Sequence, residues 1–263
     1  NLGMAQAIKK LKNYRKKFPV GSDFILGVNI GPNKDSNDRF NDYEILSKNL
    51  SEFADYLTIN ISSPNTPNLR DFHQTNNLKK VLISVKNGIA KSKSLDLQLP
   101  IFLKIAPDIS ENDLKQIIQT ANENNISGLI ISNTTVDRNK ELQSDNLHET
   151  GGLSGIPLFN KSTNFLALAS KIIKIKKYNL YLIAAGGVSD SKSAYAKILC
   201  GAHLVQLYSS MTFDGPLIAE NILKGLLKLM NRDEISSIKD IRGIVDNPED
   251  AMKIANNGLK DYL

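Results

Sequence analysis

The chain is poor in the residues that hold metals and cross-links. Its 263 residues include one cysteine, Cys200, and three histidines, His73, His148 and His203. A single thiol excludes an intrachain disulfide framework and fits a reducing compartment. Cys200 precedes Gly201 at the end of a predicted helix, which reads as a core thiol rather than a nucleophile. The histidines are isolated and lack metal-ligand spacing, so no metal site is expected. No apolar run approaches the ~20 residues of a membrane span, and the N-terminus lacks the order of a signal peptide. No basic stripe interleaved with aromatics appears, which argues against nucleic acid as a partner. The dinucleotide fingerprint of nicotinamide-binding folds is absent too.

What remains is ordinary globular material, 41% hydrophobic and 23% charged, long enough for a substantial core. The net charge of +6 comes mostly from lysines spread along the chain and reads as a solvated basic surface. A milder pull on anions, such as a phosphate-bearing cofactor, an acidic substrate or an anionic membrane, stays open. The chain opens in a basic amphipathic pattern with Met4, Ile8, Leu11 and Tyr14 at helical spacing. An outer helix of the fold is the expectation, with surface binding to a membrane as the alternative.

Periodicity alternates short β-rich runs with helical patterns. The strands are expected at Phe24–Ile30, Tyr56–Ile61, Ile101–Ile105, Gly128–Ser132, Tyr181–Ala185 and Leu204–Tyr208. Between them lie helices such as the one carrying Leu114, Ile117, Ile118 and Ala121, opened by a capping box of Ser110 and Asp113. Such alternation implies a parallel sheet, and with no linker or composition break, residues 1–263 read as one domain. The fold class is α/β, a TIM (β/α)8 barrel. Six strands against the barrel's eight lead to the expectation that its first two βα units are missing from this chain. The irregular stretches at 65–77 and about 137–157 exceed ordinary connections and are candidate lids.

In such barrels the reactive groups sit at the carboxyl ends of strands. The stretch Asn60-Ile61-Ser62-Ser63-Pro64-Asn65-Thr66-Pro67 ends a strand in hydroxyls, carboxamides and prolines, suited to gripping a small polar molecule. Ser63 is the hydroxyl best placed to move protons, yet no nearby base activates it, and turn hydrogen bonding explains the serines equally well. Asn60, Asn65, Asn133 and Thr134 can fix a planar polar ligand, although asparagine is also an ordinary turn residue. Lys104, within Ile101-Phe102-Leu103-Lys104-Ile105, reads as an inward ammonium that needs an anion. Gly186-Gly187 exposes backbone amides before a helix capped by Ser189 or Asp190; with Tyr208-Ser209 it forms the pair of loops where barrels bind phosphate. Gly151-Gly152-Leu153-Ser154-Gly155 reads either as a second cofactor loop or as a flexible crossing.

In this order and spacing, the Asn60–Pro67 stretch, Leu103–Asp108, Ser132–Thr135, Gly151–Gly155, Gly186-Gly187 and Gln206–Tyr208 resemble the dihydroorotate dehydrogenases over almost the whole chain. The resemblance implies an FMN-dependent barrel oxidising dihydroorotate to orotate in pyrimidine synthesis. It implies that Ser63 takes the proton from carbon 5, while Asn60, Asn65, Asn133 and Thr134 bind orotate. Asn29, Asn60, Lys104, Ser132, Gly155, Gly187, Tyr208 and Ser209 are implied FMN contacts. Serine at position 63 resembles the membrane-associated class that uses quinone; the soluble class carries cysteine there. Peripheral attachment to an inner membrane, cytoplasmic or mitochondrial, is implied through N-terminal helices absent here, and Asn1-Leu2-Gly3-Met4 resembles the tail of a preceding asparagine-rich loop. The competing readings are a related FMN barrel acting on another dihydropyrimidine, for which cysteine is expected at position 63, and a noncatalytic flavin-binding fragment.

Overall fold

Because successive side chains of a strand point to opposite faces, a parallel strand covered by helices on one side must sort its residues by alternation. The computed structural model describes residues 2–66, 69–92, 98–138, 142, 145–146, 148–260 and 262. It contains a six-stranded parallel sheet in sequential order, formed by β1 (Gly27–Ile30), β2 (Tyr56–Asn60), β3 (Ile101–Ile105), β4 (Gly128–Ile131), β5 (Tyr181–Ala185) and β6 (Leu204–Gln206). The helices in the chain are α1 (Gly3–Lys17), α2 (Arg39–Leu50), α3 (Thr75–Ala90), α4 (Glu111–Glu123), α5 (Phe159–Lys176), α6 (Ser191–Leu199), α7 (Ser209–Asp214), α8 (Ile218–Arg232), α9 (Ile238–Ile241) and α10 (Pro248–Asn257). Sequential parallel order with helical crossovers is the winding of a (β/α)8 barrel, of which these strands form an arc.

The alternation is clean. Leu57, Ile59, Leu103, Ile105, Leu129 and Ile131 are fully buried on the outer face, in one core with Leu78 and Val85 of α3 and Leu114, Ile117 and Ile118 of α4. The inner, concave face carries the intervening residues. Its floor is apolar, with Ile130, Ile183 and Ala185 packed beside Phe102, and Tyr56 set edge-on to Phe102 at 5.6 Å. Its rim is polar. The pairing of β2 with β3 sets Asn60 opposite Lys104, and that of β5 with β6 sets Ala185 opposite Gln206.

At the other end of the sheet the contacts are structural. Arg15 of α1 pairs with Asp55 at 2.7 Å and donates from Nε to the Phe53 carbonyl, while Asp55 also accepts from the Gly21 and Leu26 amides. Burial alone would raise the Asp55 pKa, but these donors outweigh it and hold the carboxyl below its usual range. This staple fastens the amphipathic first helix to the outside of the arc, where Met4, Ile8 and Leu11 pack on the core. No helix among the described residues is long and apolar enough to cross a membrane.

Four expected boundaries shift. The first strand starts at Gly27 rather than Phe24, because Phe24 and Ile25 stand exposed and Phe24 stacks on Phe18 instead. The second and fourth end one residue early, at Asn60 and Ile131, and the last stops at Gln206, since Tyr208 already caps α7. The capping box of Ser110 and Asp113 forms as expected, and Asp190 rather than Ser189 caps α6. Cys200 is fully buried, and burial, opposed by Lys197, pushes its thiol up to about 12, in keeping with a core role.

Helices α2 and α3 pack tightly at one point. A Cβ on Gly88 would meet the Glu44 carbonyl and the Ser47 hydroxyl, so glycine here permits a close backbone approach. Alanine in a helix interior ordinarily gains about 1 kcal/mol over glycine. Here overpacking of about 1–3 kcal/mol outweighs it. Gly88→Ala is expected to lower the urea midpoint without changing the slope; a raised midpoint would show that the helices separate freely.

Candidate active site

The rim is built from five consecutive strand ends. At the end of β2, the Asn60 side-chain oxygen accepts from the Ser62 amide at 3.2 Å and the Ser62 hydroxyl at 3.0 Å. The Asn133 carboxamide, arriving after β4, donates to Asn60 at 3.4 Å and to Ser62 at 3.1 Å. Its own oxygen accepts from the Thr134 amide at 2.9 Å, which fixes the carboxamide's orientation. From below, Tyr43 of α2 donates to the Asn60 carbonyl at 2.8 Å, and burial raises the pKa of that hydroxyl far above normal, so it remains a donor. Two loops distant in sequence thus share one carboxamide network.

Ser63 lies half-buried in the turn that follows, its hydroxyl accepting from the Asn65 amide at 3.3 Å. Asn65 is exposed, with its oxygen close to where a side chain on Gly151 would begin. Gly152 packs so closely on Thr134 and Pro64 that any Cβ there would collide with both. The glycine-rich segment therefore lies against the serine turn and does more than cross the surface. Pro67, also singled out in the sequence, and Asn1 lie outside the described residues.

Further round the arc, a cavity of about 330 Å³ is lined by Lys104, Ser132, Gly155, Gly187, Tyr208 and Ser209 among others, with Asn133 and Thr134 at its edge. Among the described residues no acid lines it, and Lys104 is the one charged group on its wall. Burial lowers the Lys104 pKa, and among the described residues no hydrogen bond or ion pair compensates its ammonium. Gly155 and Gly187 have φ of +75° and +79°, so their backbone amides turn where a side chain would obstruct approach. Ser210 donates to the Val188 carbonyl at 2.6 Å and Ser209 to Ser154 at 2.9 Å, strapping three loops together at the far end. A cationic group at one end, open amides at the other and no carboxylate between them fit an anionic, phosphate-bearing ligand.

Asn29 is the exception. It lies on the same concave face but lines a separate cavity of about 610 Å³ with Leu2, Gly3 and Met4. The remaining sequence-selected residues converge on one rim, and among the described residues no His, Cys, Asp and Glu cluster could hold a metal.

A second network was not read as functional in the sequence. Asp108, just after β3, accepts from Arg70 at 2.7 Å, Lys161 at 2.6 Å, the Val136 amide at 3.0 Å and the Thr135 hydroxyl. Arg70 belongs to a 3-10 turn, Leu69–His73, within the first candidate lid, and also donates to the Thr134 carbonyl at 3.2 Å. The described part of that loop is thereby clamped to the β3 and β4 loops. Burial would raise the Asp108 pKa, but Lys161, Thr135, Val136 and Arg70 together hold it below the usual range.

A carboxyl depressed in the folded state contributes stability above its unfolded pKa of about 4 and loses it as pH falls through the folded value. Asp108→Asn is expected to cost about 1–3 kcal/mol at neutral pH, by leaving two cations short of a partner. In urea titrations that deficit should stay constant from about pH 5 to 8 and shrink below about pH 4; a deficit independent of acid would mean that shape, not charge, holds the clamp.

The chain as a whole is similar to known proteins. A family model described as dihydroorotate dehydrogenase matches residues 1–230. The dihydroorotate dehydrogenase (quinone) of Bartonella tribocorum is 43% identical over 219 residues, covering 83% of this chain and 60% of that protein. The Agrobacterium fabrum protein of the same name is 42% identical over 243 residues, covering 92% and 64%. Ligand-free type DHODH from Eimeria tenella superposes with a TM-score of 0.81 at 34% identity, over 91% of this chain and 69% of that one. The chain thus spans 60–64% of the length of these bacterial relatives. With the family model matched over residues 1–230 and relatives at 42–43% identity, this chain belongs to the dihydroorotate dehydrogenase family.

Proposed function

We propose that this protein oxidises dihydroorotate to orotate with FMN as cofactor and quinone as electron acceptor, in pyrimidine synthesis. The observation that carries the reading is the junction of two half-sites. The network of Asn60, Ser62 and Asn133 adjoins the acid-free cavity of Lys104 and Gly187, and Asn133 belongs to both. One half suits a planar polar pyrimidine, the other a phosphate-bearing cofactor.

Bound FMN supplies the hydride acceptor. The chain's own residues then bind, orient and move a proton. Asn60, Asn65, Asn133 and Thr134 present donors and acceptors to the substrate, and Ser63 takes the proton from carbon 5. Its hydroxyl has no histidine or carboxylate partner among the described residues; the lone pair it offers to the Asn65 amide is the interaction that substrate would rearrange. Lys104, without a counter-ion among the described residues, would stabilise negative charge on the cofactor. Ser132, Gly155, Gly187, Tyr208 and Ser209, which all line the cavity, would hold the cofactor. Asn29 contributes from the neighbouring strand. Quinone as acceptor is supported by the names of the relatives and by serine at position 63. Peripheral association with an inner membrane, cytoplasmic or mitochondrial, completes the reading.

With FMN bound, anaerobic dihydroorotate should bleach the flavin absorbance; failure to bleach while FMN remains bound would overturn the substrate assignment. Ser63→Ala should retain FMN and slow bleaching by about 10²-fold or more, the usual contribution of a positioned proton acceptor. Lys104→Ala should weaken FMN binding about tenfold or more, as expected for loss of a charged hydrogen-bond donor; unchanged affinity would place the ammonium outside the flavin site.

A further inference from the structure

Behind the loop of Gly186 and Gly187 lies a lysine that the reaction does not use. Lys197, in α6, is fully buried, and no carboxylate reaches it among the described residues. Its ammonium donates to the Ser162 hydroxyl of α5 at 2.6 Å and lies 5.1 Å from the Phe159 ring. The Ser162 oxygen in turn lies 3.0 Å from the Gly186 carbonyl and 3.1 Å from the Phe159 carbonyl. We propose that Lys197 is a positioning residue for the cofactor phosphate: through Ser162 it fixes the Gly186 carbonyl inward and so aims the Gly187 amide at the cavity.

The argument is one of polarity. A hydroxyl has one proton, and an ammonium on its lone pair obliges that proton to point elsewhere, here toward the loop carbonyls. The Gly186 carbonyl and the Gly187 amide belong to one planar peptide unit and point in opposite directions. Holding the carbonyl against Ser162 therefore turns the amide away from the protein interior. That N–H makes no hydrogen bond within the described residues, and Gly187 lines the cavity. The geometry has no slack, because a Cβ on Gly187 would collide with Phe159 and one on Gly186 would come within 3.0 Å of Ser162. A buried ammonium without a counter-ion is costly, and burial, slightly opposed by Cys200, lowers the Lys197 pKa to about 7. An anion at the cradle is the compensation otherwise missing.

This inference rests on the FMN reading, and two flavins separate their fates. Affinities for FMN and for riboflavin, which lacks the phosphate, would be measured by flavin fluorescence quenching on apoprotein of the native chain and of Lys197→Met. Methionine keeps the length and removes the charge, and replacing a buried charge by an apolar group of similar volume is commonly neutral for folding. The expected result is an approximately tenfold loss for FMN with riboflavin unchanged. Equal losses for both flavins, or none for either, would overturn the positioning role. Failure of the native chain to bind either flavin would overturn the FMN reading and this inference with it. If Lys197→Met does not fold, Ser162→Ala, which breaks the relay but keeps the charge, is read by the same comparison, with the same selective loss of FMN affinity expected.

Discussion

The pairing of Asn60 with Lys104 across β2 and β3 is the constraint on which the rest depends. Both residues occupy inner-face positions in strands whose outer-face neighbours, Ile59, Leu103 and Ile105, are fully buried against helices. A one-residue slip in either strand would exchange the two faces, sending a carboxamide or an ammonium into a hydrocarbon core and isoleucines onto the rim. The apolar outer face thus enforces the polar inner one. Site geometry here is a consequence of packing on the opposite side of the sheet.

The same constraint explains which expectations the sequence could support. Strand identity was legible because Ile101–Ile105 and Tyr181–Ala185 are bounded apolar runs, and the structure returns both without change. Phe24 and Ile25 misled because they are apolar yet lie outside the ladder, where Phe24 joins an aromatic stack instead. Strand ends carrying Asn60, Lys104 and Ser132 were legible because polar residues at the end of an apolar run are otherwise unexplained.

The clamp at Asp108 and the relay from Lys197 were not legible, for two different physical reasons. Asp108 draws partners from residues 70, 135, 136 and 161, a convergence that only tertiary structure creates. Its one local signal was an acid directly after Pro107 at a strand end. Lys197 sits among Tyr195, Ala196, Ile198 and Leu199, all buried, so a lysine in an otherwise apolar helical segment was the available cue. Along a surface helix such a lysine is usually solvated, with its stem along the protein and its head in water. Only the fold shows that this α6 is enclosed by α5, α8 and α10 and has no solvent side at that position.

Taken together, the charges form a pattern that neither network shows alone. Among the described residues, two lysines without counter-ions, Lys104 within the cavity and Lys197 behind its wall, flank one small space that no acid lines. The acid nearest in sequence to β3, Asp108, is surrounded by Arg70, Lys161, Thr135 and the Val136 amide, so its field is cancelled locally. In a low-dielectric pocket an uncompensated carboxylate at that position would disfavour an anionic ligand. The clamp therefore has a second consequence beyond fastening the loop: it permits an aspartate beside the rim without cost to anion binding. Fold stability and electrostatic preference are set here by the same four partners.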